Sequence, residues 1–137
     1  MSSHHVTRQD SRLLLDYDDM CLEQIIRLHV ARAPKVAYVW SARVVGVLVE
    51  MRDPRHWHVT LQLHRRVDGR EICAIQAILG SDWARELHNV MRCHAPACTL
   101  RQWNEYWATS DGGKYVVHRQ ASRQLKGIWE DAEKDVR

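Results

Sequence analysis

The segment Leu14-Leu15-Asp16-Tyr17-Asp18-Asp19 sets two carboxylates two residues apart at the end of a short apolar run. Residues two apart share a face of a strand, so Asp16 and Asp18 would project side by side as hard oxygen donors suited to Mg²⁺ or Mn²⁺. Carboxylates holding such ions serve phosphoryl transfer, because the ions neutralise nucleotide phosphates and activate an attacking hydroxyl. The same acids have a structural use. Asp18 and Asp19 precede a helical pattern and can cap it and complement its dipole. Spacing alone leaves both uses open.

A second group is Arg55-His56-Trp57-His58-Val59. From His56 to His64 the chain alternates: Trp57, Val59, Leu61 and Leu63 point to a core, and His56, His58, Thr60, Gln62 and His64 point away. Imidazoles paired on one strand face, His56 with His58, can bind a divalent metal or hold a phosphate. Arg55, Arg65 and Arg66 flank the strand and offer positive charge to a nucleic-acid backbone. An exposed polar face that happens to carry histidines accounts for the same pattern. Cys93, His94 and Cys98 could lend ligands to zinc, but no second pair matches them, and inert packing is the simpler account.

These residues need elements to position them. Arg12 to Tyr17 reads as a buried strand, and Met20 to Arg32 as a helix with Leu22, Ile25, Ile26 and His29 on its core stripe, ended by Pro34. Val36 to Trp40 and Val44 to Met51 are rich in β-branched and aromatic residues and read as strands, with Asp53-Pro54 as the turn before the His56 strand. Arg70 to Leu79 reads as a helix, Gly80-Ser81-Asp82 as a break and new cap, and Trp83, Leu87, Val90 and Met91 as the core stripe of a further helix. Thr99 to Gln102 has capping-box spacing before Trp103, Tyr106 and Trp107, which read as a core stripe. Asp111-Gly112-Gly113 is a turn signal, Tyr115 to His118 a final strand, and Ser122 to Asp135 a terminal helix. Residues 1–11 read as a polar extension of one domain, 1–137. The fold class expected is α+β, a small antiparallel sheet with helices on one face, close to a ferredoxin-like or RRM-like palm.

Composition frames this reading. The chain has 137 residues, 45% hydrophobic and 27% charged, which suits one globular core and leaves no room for a multidomain enzyme. No apolar run reaches the ~18 residues of a membrane span, and the first ten residues hold no apolar stretch for a signal peptide, so a cytoplasmic protein with reduced thiols is expected. A net charge of +3 permits a phosphate-rich partner without demanding one. Six Trp and four Tyr with no Phe suit cores, interfaces and base-stacking surfaces alike.

A strand ending in Asp-x-Asp, a helix, further strands and then Trp57-His58-Val59 resembles the catalytic palm of archaeo-eukaryotic primases, including the small primase-polymerases of plasmids and viruses. The block from Ile78 to Glu86 is also similar to a segment that follows this strand in small phage and archaeal-virus proteins of the same layout. The likeness covers about residues 12 to 92. It implies that Asp16 and Asp18 bind catalytic Mg²⁺ or Mn²⁺, that His58 contacts an incoming triphosphate with Arg55 beside it, and that a third acid lies on a later strand, for which Asp111 and Glu105 are the candidates. His56-Trp57-His58 also resembles the His-hydrophobic-His step of HUH endonucleases. That likeness implies a single-strand DNA nickase with Tyr115, or Tyr106, as nucleophile. A third expectation is a non-catalytic viral accessory or inhibitor protein that binds a protein partner or nucleic acid, since Trp, Tyr and Arg are enriched at interfaces.

Overall fold

The computed structural model describes residues 9–92, 104 and 118–136. In chain order it contains β1 (Gln9–Asp18), α1 (Leu22–Val39), β2 (Val44–Asp53), β3 (His56–Asp68), α2 (Gly69–Ile78), α3 (Trp83–Arg92), β4 (His118–Ala121) and α4 (Arg123–Lys134). The strands form one antiparallel sheet in the order β1-β3-β2-β4. The expected α+β class, with an antiparallel sheet and helices packed on it, is what the chain adopts.

β1, α1 and β2 with β3 between the two strands form the split βαβ unit of the ferredoxin-like arrangement. The fourth strand differs. In that arrangement it would extend the sheet beside β1, whereas here β4 pairs with β2. β1 is therefore an edge, and α2 and α3 occupy the space beside it.

Alternation fixes which side is core. Leu13, Leu15 and Tyr17 of β1, Val47 and Val49 of β2, and Trp57, Val59 and Leu61 of β3 are buried against Ile25, Ala33 and Val36 of α1, Ile72 and Leu79 of the α2 region, and Leu125 and Trp129 of α4. A buried hydrogen-bond chain ties these layers together. Trp129 Nε1 donates to His29 Nδ1 (3.1 Å), so the His29 proton sits on Nε2 and points at the Tyr17 hydroxyl (2.9 Å), which donates to the Leu79 carbonyl (2.6 Å). Burial holds His29 neutral, with its pKa lowered to about 4.

Several local expectations need correction. α1 does not stop before Pro34 but runs through it to Val39, so of the strand expected at Val36–Trp40 all but the C-cap Trp40 is helix. Losing the Pro34 N–H costs one helical bond, yet Ala33, Val36, Ala37 and Trp40 are all buried by the continued helix, and that burial prevails. The N-cap of α1 is Cys21, whose N–H is taken by Gln24 Oε1 at 2.9 Å, so neither Asp18 nor Asp19 caps it. β1 starts at Gln9, inside the segment expected to be an extension.

The reading of α3 is inverted. Arg85, Glu86 and Asn89 are buried while Leu87, Val90 and Met91 are exposed. The cause is the edge of β1, whose outward backbone groups need polar partners. Gln76 Oε1 accepts from Leu14 N (2.8 Å), Arg85 Nη1 donates to Leu14 O (2.6 Å), Ser81 Oγ accepts from Asp16 N (3.0 Å), and Asp82 N donates to Asp16 O (2.8 Å). Asn104 Nδ2 reaches Arg12 O at 3.2 Å. Glu86 then balances Arg85 (2.6 Å) and accepts from Gln76 and Asn89, closing the network.

Other expectations hold within the described residues. Asp53 begins the β2–β3 turn by accepting from Arg55 N (2.8 Å), Asp82 caps α3 through Arg85 N (3.0 Å), and Ser122 caps α4 through Leu125 N (3.2 Å). Gly80 makes the sharp α2–α3 turn at φ +80°, where a side chain would also strike Leu28. Cys93, His94, Cys98, Trp103, Glu105, Tyr106, Trp107, Asp111 and Tyr115 lie outside the described residues.

Candidate functional site: a polar row on the open sheet face

The second face of the sheet carries the sequence-selected groups. Antiparallel register sets Asp16 opposite His58, His58 opposite Glu50, and Glu50 opposite Arg119, one straight row across all four strands. The next row towards the turn has Asp18 opposite His56 and His56 opposite Asp53. Cross-strand neighbours lie about 4.5–5.5 Å apart at Cβ, so the charges of a row interact directly.

His58 Nε2 lies 3.4 Å from Asp16 Oδ1, and both side chains are largely covered. Glu50, covered to the same degree as Asp16, pairs with the exposed Arg119 at 3.0 Å. Asp18 has a raised pKa, first because part of its surroundings exclude water and then because Asp16 and Asp82 repel its charge, with His56 and His58 opposing. At the rim, Asp53 clasps His56 Nδ1 (2.6 Å). That hydrogen bond raises the His56 pKa and, from the other side, lowers that of Asp53.

Asp16, Asp18, His56 and His58 thus lie in two neighbouring rows on one sheet face, and the register adds Glu50 to the first of them. No sequence signal marked Glu50, because strand register decides which residue of β2 faces His58. Arg55 goes elsewhere: its guanidinium is held by Asp19, at 3.1 Å to Oδ1 and 2.7 Å to the carbonyl, where it braces the left-handed turn at Asp19. Arg65 and Arg66 lie seven and eight residues beyond His58 along the strand, about 23 Å or more away. Arg65 is bound there to Ser41 Oγ (2.7 Å). Neither joins the row.

Two further observations define what this face can do. Tyr17 and Trp57 are turned to the helices by the register, so the rows from Arg12 to Asp18 carry no aromatic platform of the RRM kind. Beside the polar row lies a groove of about 750 Å³, with Glu50 at one end.

For a divalent ion, the donor set is a shared face of hard oxygens whose mutual repulsion already shows at Asp18. Among the described residues no three His, Cys, Asp or Glu groups stand close enough to form a complete cage. Mg²⁺ commonly uses only one or two carboxylates and takes its remaining oxygens from water and substrate phosphates, so Asp16 and Asp18 fit that role. Comparisons with protein-family models, curated proteins and solved structures give no match. No described helix is long and apolar enough to cross a membrane.

Proposed function

We propose that this chain is a small palm-like protein that binds a nucleotide or the phosphates of a nucleic acid on its open sheet face and transfers a nucleotidyl group in a Mg²⁺- or Mn²⁺-dependent reaction. The observation that carries the reading is the row Asp16–His58–Glu50 with Asp18 beside it. Asp16 and Asp18 hold the metal, which when bound neutralises phosphate charge and lowers the pKa of a coordinated hydroxyl. His58, with Nε2 3.4 Å from Asp16 Oδ1, would stand beside the bound phosphates as a hydrogen-bond donor. Glu50, on the strand before His58 rather than the later strand that the likeness to primases calls for, adds a carboxylate to the row, and Arg119 orients it at 3.0 Å. Primer extension with Mg²⁺ or Mn²⁺ tests this. Wild-type incorporation should fall by about a hundredfold or more in Asp16→Ala/Asp18→Ala, the scale of losing a transition-state charge stabiliser. Equal activity of both proteins would refute the assignment.

A second reading, a non-catalytic accessory or inhibitor protein, draws support from the apolar residues that α3 turns outward, Leu87, Val90 and Met91. On that reading Asp16→Ala/Asp18→Ala leaves partner binding intact and independent of Mg²⁺.

A further inference from the structure

The groove beside the polar row runs along β1, β3 and β2, and its sides include Leu14, Leu48, Thr60, Gln62 and Ala121. Its floor contains Gly46. A glycine within a strand weakens it, so its presence calls for a physical reason. Backbone conformation does not supply one, because Gly46 has no positive φ. A register shift falls between Val44 and Gly46, so the glycine also stands at an irregularity of the strand. Packing is equally silent: among the described residues a Cβ at Gly46 would meet only Gln62 Cβ, at an ordinary 3.6 Å. What Gly46 does is leave the floor open. A side chain there would stand up into the groove, between Leu48 and Gln62 on the same face.

We propose that this Gly46 groove seats a planar heteroaromatic ring, the base of a nucleotide whose phosphates lie at the Asp16–His58 row. The inference rests on the nucleotide reading above and adds to it a site for the base. Gly46 and Glu50 are four residues apart on β2, about 13 Å along the strand, a span that ring, sugar and phosphates cover in series. The volume lies within the range of small-ligand sites. Leu14, Leu48 and Ala121 provide the apolar contact, while Gln62 lines the groove with its amide nitrogen held by Ser11 O (3.0 Å) and Leu63 O (3.2 Å). The bare peptide planes at Gly46 let a flat ring approach the backbone closely. Among the described residues of these rows no side chain is aromatic, so the rows themselves offer a groove for one ring and no stacking platform for a run of bases.

The test compares two probes, a nucleoside triphosphate and inorganic triphosphate, each titrated calorimetrically with Mg²⁺ against wild type and Gly46→Leu. The wild type should prefer the nucleotide by about tenfold or more, and Gly46→Leu should abolish that preference while changing inorganic triphosphate affinity by less than about twofold. Leu48→Ala, which leaves Gly46 in place and removes only apolar contact at the groove, should weaken nucleotide binding selectively and guards against a folding defect in Gly46→Leu. A wild type that binds both probes equally, or a folded Gly46→Leu that retains the preference, overturns the base site and leaves the phosphate site standing. A wild type that binds neither probe overturns the nucleotide reading and the base site with it.

Discussion

The clasp on the edge of β1 and the polar row on the open face use similar residues and are built in opposite ways. In the clasp, Gln76, Arg85, Glu86, Asn89 and Asn104 are fully buried and bond to one another and to the backbone of β1, with Asn104 also reaching Asp10 Oδ2 at 3.3 Å. In the row, Asp16 and His58 approach at 3.4 Å, Glu50 reaches an exposed Arg119, and Asp18 is left beside two other carboxylates. A closed network contributes to the fold and has nothing to offer a ligand. A row that sets carboxylates side by side contributes less to the fold and, on the proposed reading, gains when a cation arrives. The clasp also places the row, because Ser81 and Asp82 grip both backbone groups of Asp16.

The largest stability loss should come from breaking the clasp. Arg85→Met leaves the Glu86 carboxylate and the Leu14 carbonyl buried without their partner and should cost about 3–5 kcal/mol in urea unfolding. Adding Glu86→Gln removes the stranded charge, so the double variant should lose less than the sum of the two single changes. A loss below about 1 kcal/mol in Arg85→Met would show that the network is not closed in solution.

Next comes the His29 chain. Its folded pKa of about 4 lies below the unfolded 6.5, so the unfolded chain binds the extra proton between those values. Stability from this group is therefore fully present above about pH 6.5 and drains away as pH falls towards 4. The shift corresponds to about 3 kcal/mol. Chemical denaturation across that range should show the slope in wild type and lose this part of it in His29→Gln. An unchanged slope in the variant would assign the pH dependence to other groups.

What could be read in the sequence follows the range of the interactions involved. The alternation of β3, the Asp53-Pro54 turn, the Gly80 turn and the caps at Asp82 and Ser122 depend on neighbours in the chain, and they stand where the sequence put them. Asp16, Asp18, His56 and His58 were legible because period two sorts strand faces without knowing the partner strand. Glu50 was not, since only the β2–β3 register brings it beside His58. The outward turn of Leu87, Val90 and Met91 was hidden for a related reason: hydrophobic periodicity assumes that a helix meets an apolar surface, and α3 meets a strand edge. Pro34 misled because its local cost is visible in the sequence, while the burial of Val36 and Trp40 is settled by the tertiary fold.

The smallest effect on the fold should come from the rim, and it separates rim from row. His56 and Asp53 are both exposed, so their bond is screened by solvent and salt. The His56 pKa is raised above its ordinary value, so the pairing contributes below the unfolded value and is lost as pH rises through the folded one. Asp53→Asn removes the main cause of that rise. The His56 titration, followed by proton NMR, should move down towards the ordinary histidine value with no resolvable change in the unfolding midpoint at neutral pH. Added salt should move the wild-type titration in the same direction. A His56 pKa that stays raised in Asp53→Asn would mean that Asp18 and Asp19 hold the proton instead, and the rim would then belong electrically to the carboxylates proposed to take the metal.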